Sequence, residues 1–400
     1  MNTYGTNLSM NNSPILTPQH WQGVRTLIDH YLCATKKDRV IIVFNSDTLQ
    51  EMTWVRVALQ EREIPNTYVW SIPIHDPEFK KRLSSELPTS FELAGGCLIL
   101  LTLENETVSH DEIINSLLLQ YPKDQVRLYR ALSAEGLLFS NGLRVTPEEL
   151  SKRNTSLLRA LMPARNIRFT SKSGSDVRIK FDSDCFRWIS NRGYAKPGKV
   201  VILPAGEIAT YPLAVDGRFV ADFGFNGNFH TLQDARLNLS PVTLWLEKSC
   251  VVSIECPDNG VKAFITECLA REPNSNRVGE VGFGTNFGIN TPVRQNSHLN
   301  ERHPGMHLGL GQSNQHPKLV GYRCSTHLDL ISSGGIIELE EHSDTPIDLS
   351  RVDPSDKPHP IDTRDEDTYG ADGFSAFDSD DCCSYPLALG SSCLDSNLIK

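Results

Sequence analysis

The chain has 400 residues, 39% of them hydrophobic, and a formal net charge of −10 from 39 Lys+Arg against 49 Asp+Glu. That length exceeds one ordinary core and predicts two domains plus a tail. An acidic balance with no Lys/Arg run interleaved with aromatics leaves no footprint for nucleic acid, and the longest apolar stretch, CLILLTL at 97–103, falls far short of the roughly 20 residues that span a bilayer.

Residues 1–17 lack the basic start and apolar middle of a secretory signal, so a flexible N-terminus and a cytoplasmic location are expected. The 10 cysteines run from Cys33 to Cys393 without a C-x-x-C pair and read as reduced thiols.

From 18 to 163 the pattern alternates between helix and buried strand. QHWQGVRTLIDHYL has helical spacing, RVIIVF (39–44) reads as a strand, and LQEMTWVRVALQERE returns to helix. Further strands in NTYVWSI, CLILLTL and QVRLYRAL, separated by helical stretches such as HDEIINSLLLQ, predict an α/β domain built on a parallel sheet with flanking helices. No glycine-rich turn follows VIIVF, so the dinucleotide fingerprint and the P-loop are both missing and this half reads as a scaffold. A helix over about 146–162, with Thr146 as N-cap and Pro147 at its first position, closes the domain.

Between 164 and 342 the chain turns to short strands punctuated by glycine: IRFTSKSG, DVRIKF, KVVILPAGEIATYPL, RFVADFGF, PVTLWLEKS, AFITECLA and CSTHLDLIS. A mixed, mainly β, barrel-like domain is expected there. From 343 to 400 the sequence is dense in Asp, Pro and Ser, with too little apolar surface to offset ordering entropy, and reads as a disordered acidic tail.

The chemistry-bearing residues fall in the β-rich half. In THLDL, strand alternation sends His327 and Asp329 to one face while Leu328 and Leu330 take the other. Imidazole and carboxylate aimed the same way are metal donors, or else a solvent-facing pair on an edge strand. Glu207 and Glu280 each adjoin a glycine at the edge of an apolar run, and His307 lies within the apolar, glycine-rich MHLGLG. A polar side chain in such a run needs a partner. His298, His303, His307 and His316 crowd into 19 residues, with His298 and His303 expected in a solvated loop. Two divalent ions bridged by a carboxylate and each completed by one histidine would use Glu207, Glu280, His307, His327 and Asp329 almost without remainder.

The ordered run LPAGEIATYP, VGEVGFGTN, NERHPGMHLGLGQSN and THLDLISSGGIIEL resembles the aminopeptidase T family of dinuclear metallopeptidases over roughly residues 165–342. The family's P-x-G-E, G-E-x-G, H-x-A-L-G and H-x-D motifs have counterparts here in the same order. The resemblance implies that Glu207, Glu280, His307, His327 and Asp329 hold zinc, cobalt or manganese. It further implies that Glu280 takes a proton during attack of a metal-bound hydroxide on the N-terminal bond of a peptide or small amide, and that the protein is a homodimer. The tyrosine that peptidase members carry seven residues after the motif histidine is Asn314 here, a substrate-binding candidate, and Asp176 of the SKSGSD loop reads as a structural or substrate-facing residue.

Two other readings stand beside this one. FTSKSGSDVRI and CSTHLDL are similar to stretches of the related dihydroxypyridine ring-cleaving dioxygenases, which implies one Fe(II) on His307, His327 and Asp329. A catalytically inactive peptide-binding protein in a modified-peptide biosynthetic pathway is the other. Five retained ligand-type residues weigh against it, because a dead site has no need of costly buried charge.

Overall fold

The structure is a computed structural model that describes residues 16–93, 95–105, 109–195, 200–340 and 345–361. Five parallel strands form the first sheet, in the order Asn66–Trp70, Arg39–Phe44, Leu98–Leu103, Val126–Ala131, Val200–Leu203. Leu98–Leu103 is buried along its whole length, as a central parallel strand covered on both faces should be. The expected helices appear at Pro18–Thr26, Leu49–Glu61, Asp111–Leu118 and Pro147–Leu161. At the last of these Thr146 accepts from the Glu149 N–H at 3.2 Å, closing a capping box with Pro147 in the first turn.

The β-rich half is two antiparallel sheets rather than one barrel. The seven-stranded sheet runs Cys250–Glu255, Val242–Glu247, Ala214–Ala221, Asp176–Lys180, Asn166–Thr170, Ile336–Leu339, Ile347–Asp348. The six-stranded sheet runs Gly224–Gly227, His327–Ser333, Gly305–Gly311, Val278–Gly284, Glu207–Thr210, Ile189–Asn191. Val177, Ile179, Phe219 and Leu244 from the first meet Val281, Phe283, Leu308 and Leu328 from the second in one continuous core. Among the described residues neither strand order closes on itself, so the apolar faces are buried by stacking and not by closure.

Three further expectations are corrected. AFITECLA is not a strand but part of the helix Asn259–Leu269, whose N-cap Asp258 accepts from the Gly260 and Val261 N–H groups. Its buried Val261, Ile265 and Cys268 recur at helical spacing, a period masked by β-branched residues. KVVILPAGEIATYPL is two strands in different sheets: Val200–Leu203 completes the parallel sheet and Glu207–Thr210 joins the six-stranded one, with a turn at Pro204–Gly206 between them. The acidic tail does not begin at 343. Ile347–Asp348 pairs with the strand Ile336–Leu339, Leu349 is fully buried, and the Ser355 N–H donates to the Lys152 carbonyl at 3.0 Å. Residues 362–400, including Cys382, Cys383 and Cys393, lie outside the described residues, as do 1–15. Among the described residues every cysteine is a free thiol, and no helix is long and apolar enough to cross a membrane.

Candidate functional site

The six-stranded sheet has one apolar face and one chemical face. Along Val278–Gly284 and Gly305–Gly311, Val281, Phe283, Met306, Leu308 and Leu310 turn to the core. The alternate positions are Glu280, Gly282, Gly284, His307, Gly309 and Gly311, so wherever this face lacks a functional group it carries glycine. Cross-strand register then gathers the side chains. Gly309 sits opposite both Glu280 and Asp329, Gly282 opposite His307, Gly284 opposite Glu207, and Gly311 opposite His327.

The glycines make room. A Cβ on Gly282 would meet His307 Nε2 at 2.0 Å, and one on Gly309 would meet His327 Cε1 at 2.8 Å, Glu280 Cβ at 2.9 Å and Asp329 Oδ1 at 3.0 Å. Any side chain at either position would fill the space the functional groups occupy.

All five predicted ligands converge here, each nearly buried: Glu207, Glu280, His307, His327 and Asp329 are 1–4% exposed. His307 Nε2 lies 3.8 Å from Glu207 Oε2 and 4.0 Å from Glu280 Oε1, too far for hydrogen bonds. His327 faces oxygen on both sides, with Nδ1 3.1 Å from the Gln312 carbonyl and Nε2 3.1 Å from Asp329 Oδ1. A carbonyl only accepts, so Nδ1 carries a proton, and a neutral ring then turns the Nε2 lone pair toward a carboxylate oxygen. That pairing is repulsive unless Nε2 is also protonated or a cation lies between. Burial by itself would raise the Asp329 carboxyl, but the His327 imidazole beside it, with His307, holds it well below the ordinary carboxylate range.

Two residues of this site escaped the sequence reading. Arg302, fully buried, directs Nη1 to Glu207 Oε2 and, at 2.5 Å, to Glu301 Oε1, while its Nε donates to the Pro204 carbonyl at 3.2 Å. Glu301 also accepts from Asn226 Nδ2 at 2.8 Å and is 4% exposed. The short helix His298–Glu301 delivers both, capped by the Ser297 hydroxyl and pinned by Asn300, whose amide bonds the Val293 N–H and the Phe225 carbonyl. From sequence, His298 and His303 are expected in a solvated loop, and neither Glu301 nor Arg302 between them is singled out. The usable signal was two adjacent opposite charges leading directly into an alternating Gly/apolar strand.

His303 also proves buried, stacked on Phe223 at 3.6 Å with its ring nitrogens on the Ile289 carbonyl and the Ser333 hydroxyl. Asn314 is buried, and its Oδ1 accepts from Gln315 Nε2 at 2.9 Å. Asp176 stands apart on the seven-stranded sheet, exposed and bidentate with Arg168 at 2.8 Å.

By chemistry the donor set suits a divalent ion, with two imidazoles and several carboxylates in a buried, glycine-floored cradle. As they stand among the described residues, however, no three or more His, Cys, Asp or Glu side chains are arranged to hold one. Glu207 and Glu301 are engaged by the Arg302 guanidinium.

No protein-family model and no curated protein matches this sequence. Solved structures do. The chain is similar to 2,5-dihydroxypyridine dioxygenase from Pseudomonas putida, with a TM-score of 0.54 at 14% identity over 81% of this chain and 94% of that one. It is also similar to wild-type AmpT, an aminopeptidase T, from Thermus thermophilus, with a TM-score of 0.53 at 13% identity over 84% of this chain and 99% of that one. At such identities the likeness is one of fold alone.

Proposed function

We propose that this protein is a metal-dependent enzyme whose centre is the chemical face of the six-stranded sheet, and that its reaction is hydrolysis of the aminopeptidase type. The observation that carries the reading is His327, buried with one ring nitrogen on a backbone carbonyl and the other on the Asp329 carboxylate. A ring whose Nδ1–H is fixed by a carbonyl and whose Nε2 is turned toward anionic oxygen is the posture of a metal-ligating histidine. The fold is shared with an aminopeptidase and a ring-cleaving dioxygenase alike, which supports a metal-dependent enzyme, and the choice of hydrolysis rests on the ordered motifs of the sequence.

His307, His327, Asp329 and Glu280 would hold the ion, with Glu207 beside them on Arg302. When bound, a divalent ion supplies Lewis-acid polarisation of the scissile carbonyl and activation of water at neutral pH. The chain's own residues do the rest. The Gln312 carbonyl fixes the His327 tautomer. Glu280 would take the proton of the attacking water through the carboxylate oxygen not used on the ion. The buried walls keep bulk solvent from the reacting bond. Short peptides or small amides are the substrate class, and a homodimer is the expected assembly.

Metal analysis of purified protein, coupled to a panel of dipeptides and aminoacyl amides, tests the reading. Tight divalent metal and metal-dependent release of the N-terminal residue are expected, with both lost in His327→Ala and Asp329→Ala. Absence of metal binding would sink the proposal, and oxygen consumption with a ferrous ion but no hydrolysis would replace it with ring-cleavage chemistry.

A further inference from the structure

We infer that the strand Asn66–Trp70 is an assembly edge: it pairs antiparallel with the same strand of a second copy of this chain, joining two parallel sheets into one. The inference goes beyond the reading of the site and does not depend on it.

Asn66–Trp70 ends the strand order of the parallel sheet and is bonded there on one side only. The Val40 N–H donates to the Pro65 carbonyl and the Ser71 N–H to the Phe44 carbonyl, so the odd-numbered residues turn their backbone groups inward. The backbone groups of Asn66, Tyr68 and Trp70 therefore point out of the sheet. Among the described residues only the Trp70 carbonyl finds a partner there, Arg82 Nε at 3.1 Å. Edges that stay single are blunted by charge, proline or a bulge. This strand has none of them, and NTYVWSIPI (66–74) carries no charged residue in a chain of net charge −10. Two acidic copies approach with least repulsion along such a strip.

The strip is also apolar where it meets water. Tyr68, Trp70, Ile72 and Ile74 are 44%, 44%, 43% and 53% exposed, and Arg56 and Arg82 stack on the two rings at 4.6 and 5.3 Å. Ile74 has a φ of 70°, a strained backbone for a β-branched residue, and this conformation accompanies an isoleucine held in solvent.

A second copy fits the strip. A two-fold axis through Tyr68 sets ring against ring, lets the two Tyr68 residues exchange both backbone bonds, and brings each Trp70 N–H to the other copy's Asn66 carbonyl. Covering the four half-exposed side chains removes ~700 Å² from water over two copies, and the strand backbones with the stacked guanidinium stems bring the total to ~1,000 Å², the lower bound of a specific interface. A substrate peptide is a poorer occupant, because the edge lies at the opposite end of the sheet from Val200–Leu203, after which the chain enters the six-stranded sheet.

Sedimentation of the full chain over a concentration series, with disulfide trapping, is the test. Wild type should be a dimer, and Trp70→Glu should weaken association by at least ~30-fold. Ile74→Asn should weaken it too while leaving the monomer at least as resistant to heat, since asparagine accepts the left-handed backbone that strains isoleucine; this variant decides if Trp70→Glu does not fold. On oxidation Tyr68→Cys should give a covalent dimer, because paired residues at the axis sit ~5.5 Å apart between Cα atoms, whereas Phe91→Cys, 92% exposed but off the strip, should not. A monomeric wild type would overturn the inference, whether its edge stays open or is covered by residues 1–15 or 362–400 of the same chain. So would a dimer that survives Trp70→Glu and Ile74→Asn, or trapping by Phe91→Cys as readily as by Tyr68→Cys. None of these outcomes bears on the metal reading, which metal analysis decides.

Discussion

Gly282→Ala is the smallest change that separates this site from a merely polar pocket. The new methyl carbon would start 2.0 Å from His307 Nε2, and ordinary contact needs 3.4 Å, so the imidazole must retreat by about 1.4 Å or rotate away. Ligand distances tolerate only about 0.2 Å, and a displacement near 1 Å typically costs a factor of about 100. We therefore expect metal affinity to fall at least ~100-fold, or about 2.7 kcal/mol. Overpacking this buried strand should also cost about 1–3 kcal/mol of metal-free stability, short of unfolding the protein. A competition titration against a chromophoric chelator reads the affinity, and urea unfolding in excess chelator supplies the control. If Gly282→Ala kept wild-type affinity, His307 would not be a ligand and the cradle argument would fail. If it unfolded the metal-free protein, the glycine would be structural instead.

Three further outcomes follow from buried groups elsewhere. Burial holds the His303 imidazole neutral and lowers its pKa from 6.5 to about 4. The unfolded chain then takes a proton that the folded one refuses, so His303 costs stability as pH falls from 6.5 toward 4, by about 1.4 kcal/mol per pH unit and ~3 in all. His303→Gln should remove about one proton from the pH slope of denaturant-measured stability in that window, and an unchanged slope would exclude His303 as its source. In the α/β domain Arg130 is fully buried between Glu104 and Asp111. Arg130→Met should cost about 3–5 kcal/mol by stranding those carboxylates, read as a drop in urea midpoint, and a loss below 1 kcal/mol would show that water reaches the triad. Leu349→Ala should cost about 2–5 kcal/mol if the segment after 345 packs as described; a neutral result would return it to the tail.

The parallel sheet, the capped helix at Pro147 and the five polar groups on glycine-rich strands were legible in the sequence. Each is written in local chemistry: a buried run such as Leu98–Leu103, a Thr-Pro-Glu-Glu start, a side-chain period of two in THLDL. Only the tertiary structure decided which strands joined which sheet, and so sent Val200–Leu203 and Glu207–Thr210 in different directions from one continuous apolar run. It also revealed the roles of Gly282 and Gly309, because a glycine's use as space depends on what stands across the sheet. Arg302 was the largest omission. A charged residue reads as solvated until a fold supplies carboxylates to bury it against, and Glu207 lies 95 positions away in sequence. The period-two motifs were thus legible locally, while the burial of Arg302 against Glu207 and Glu301 depended on long-range packing.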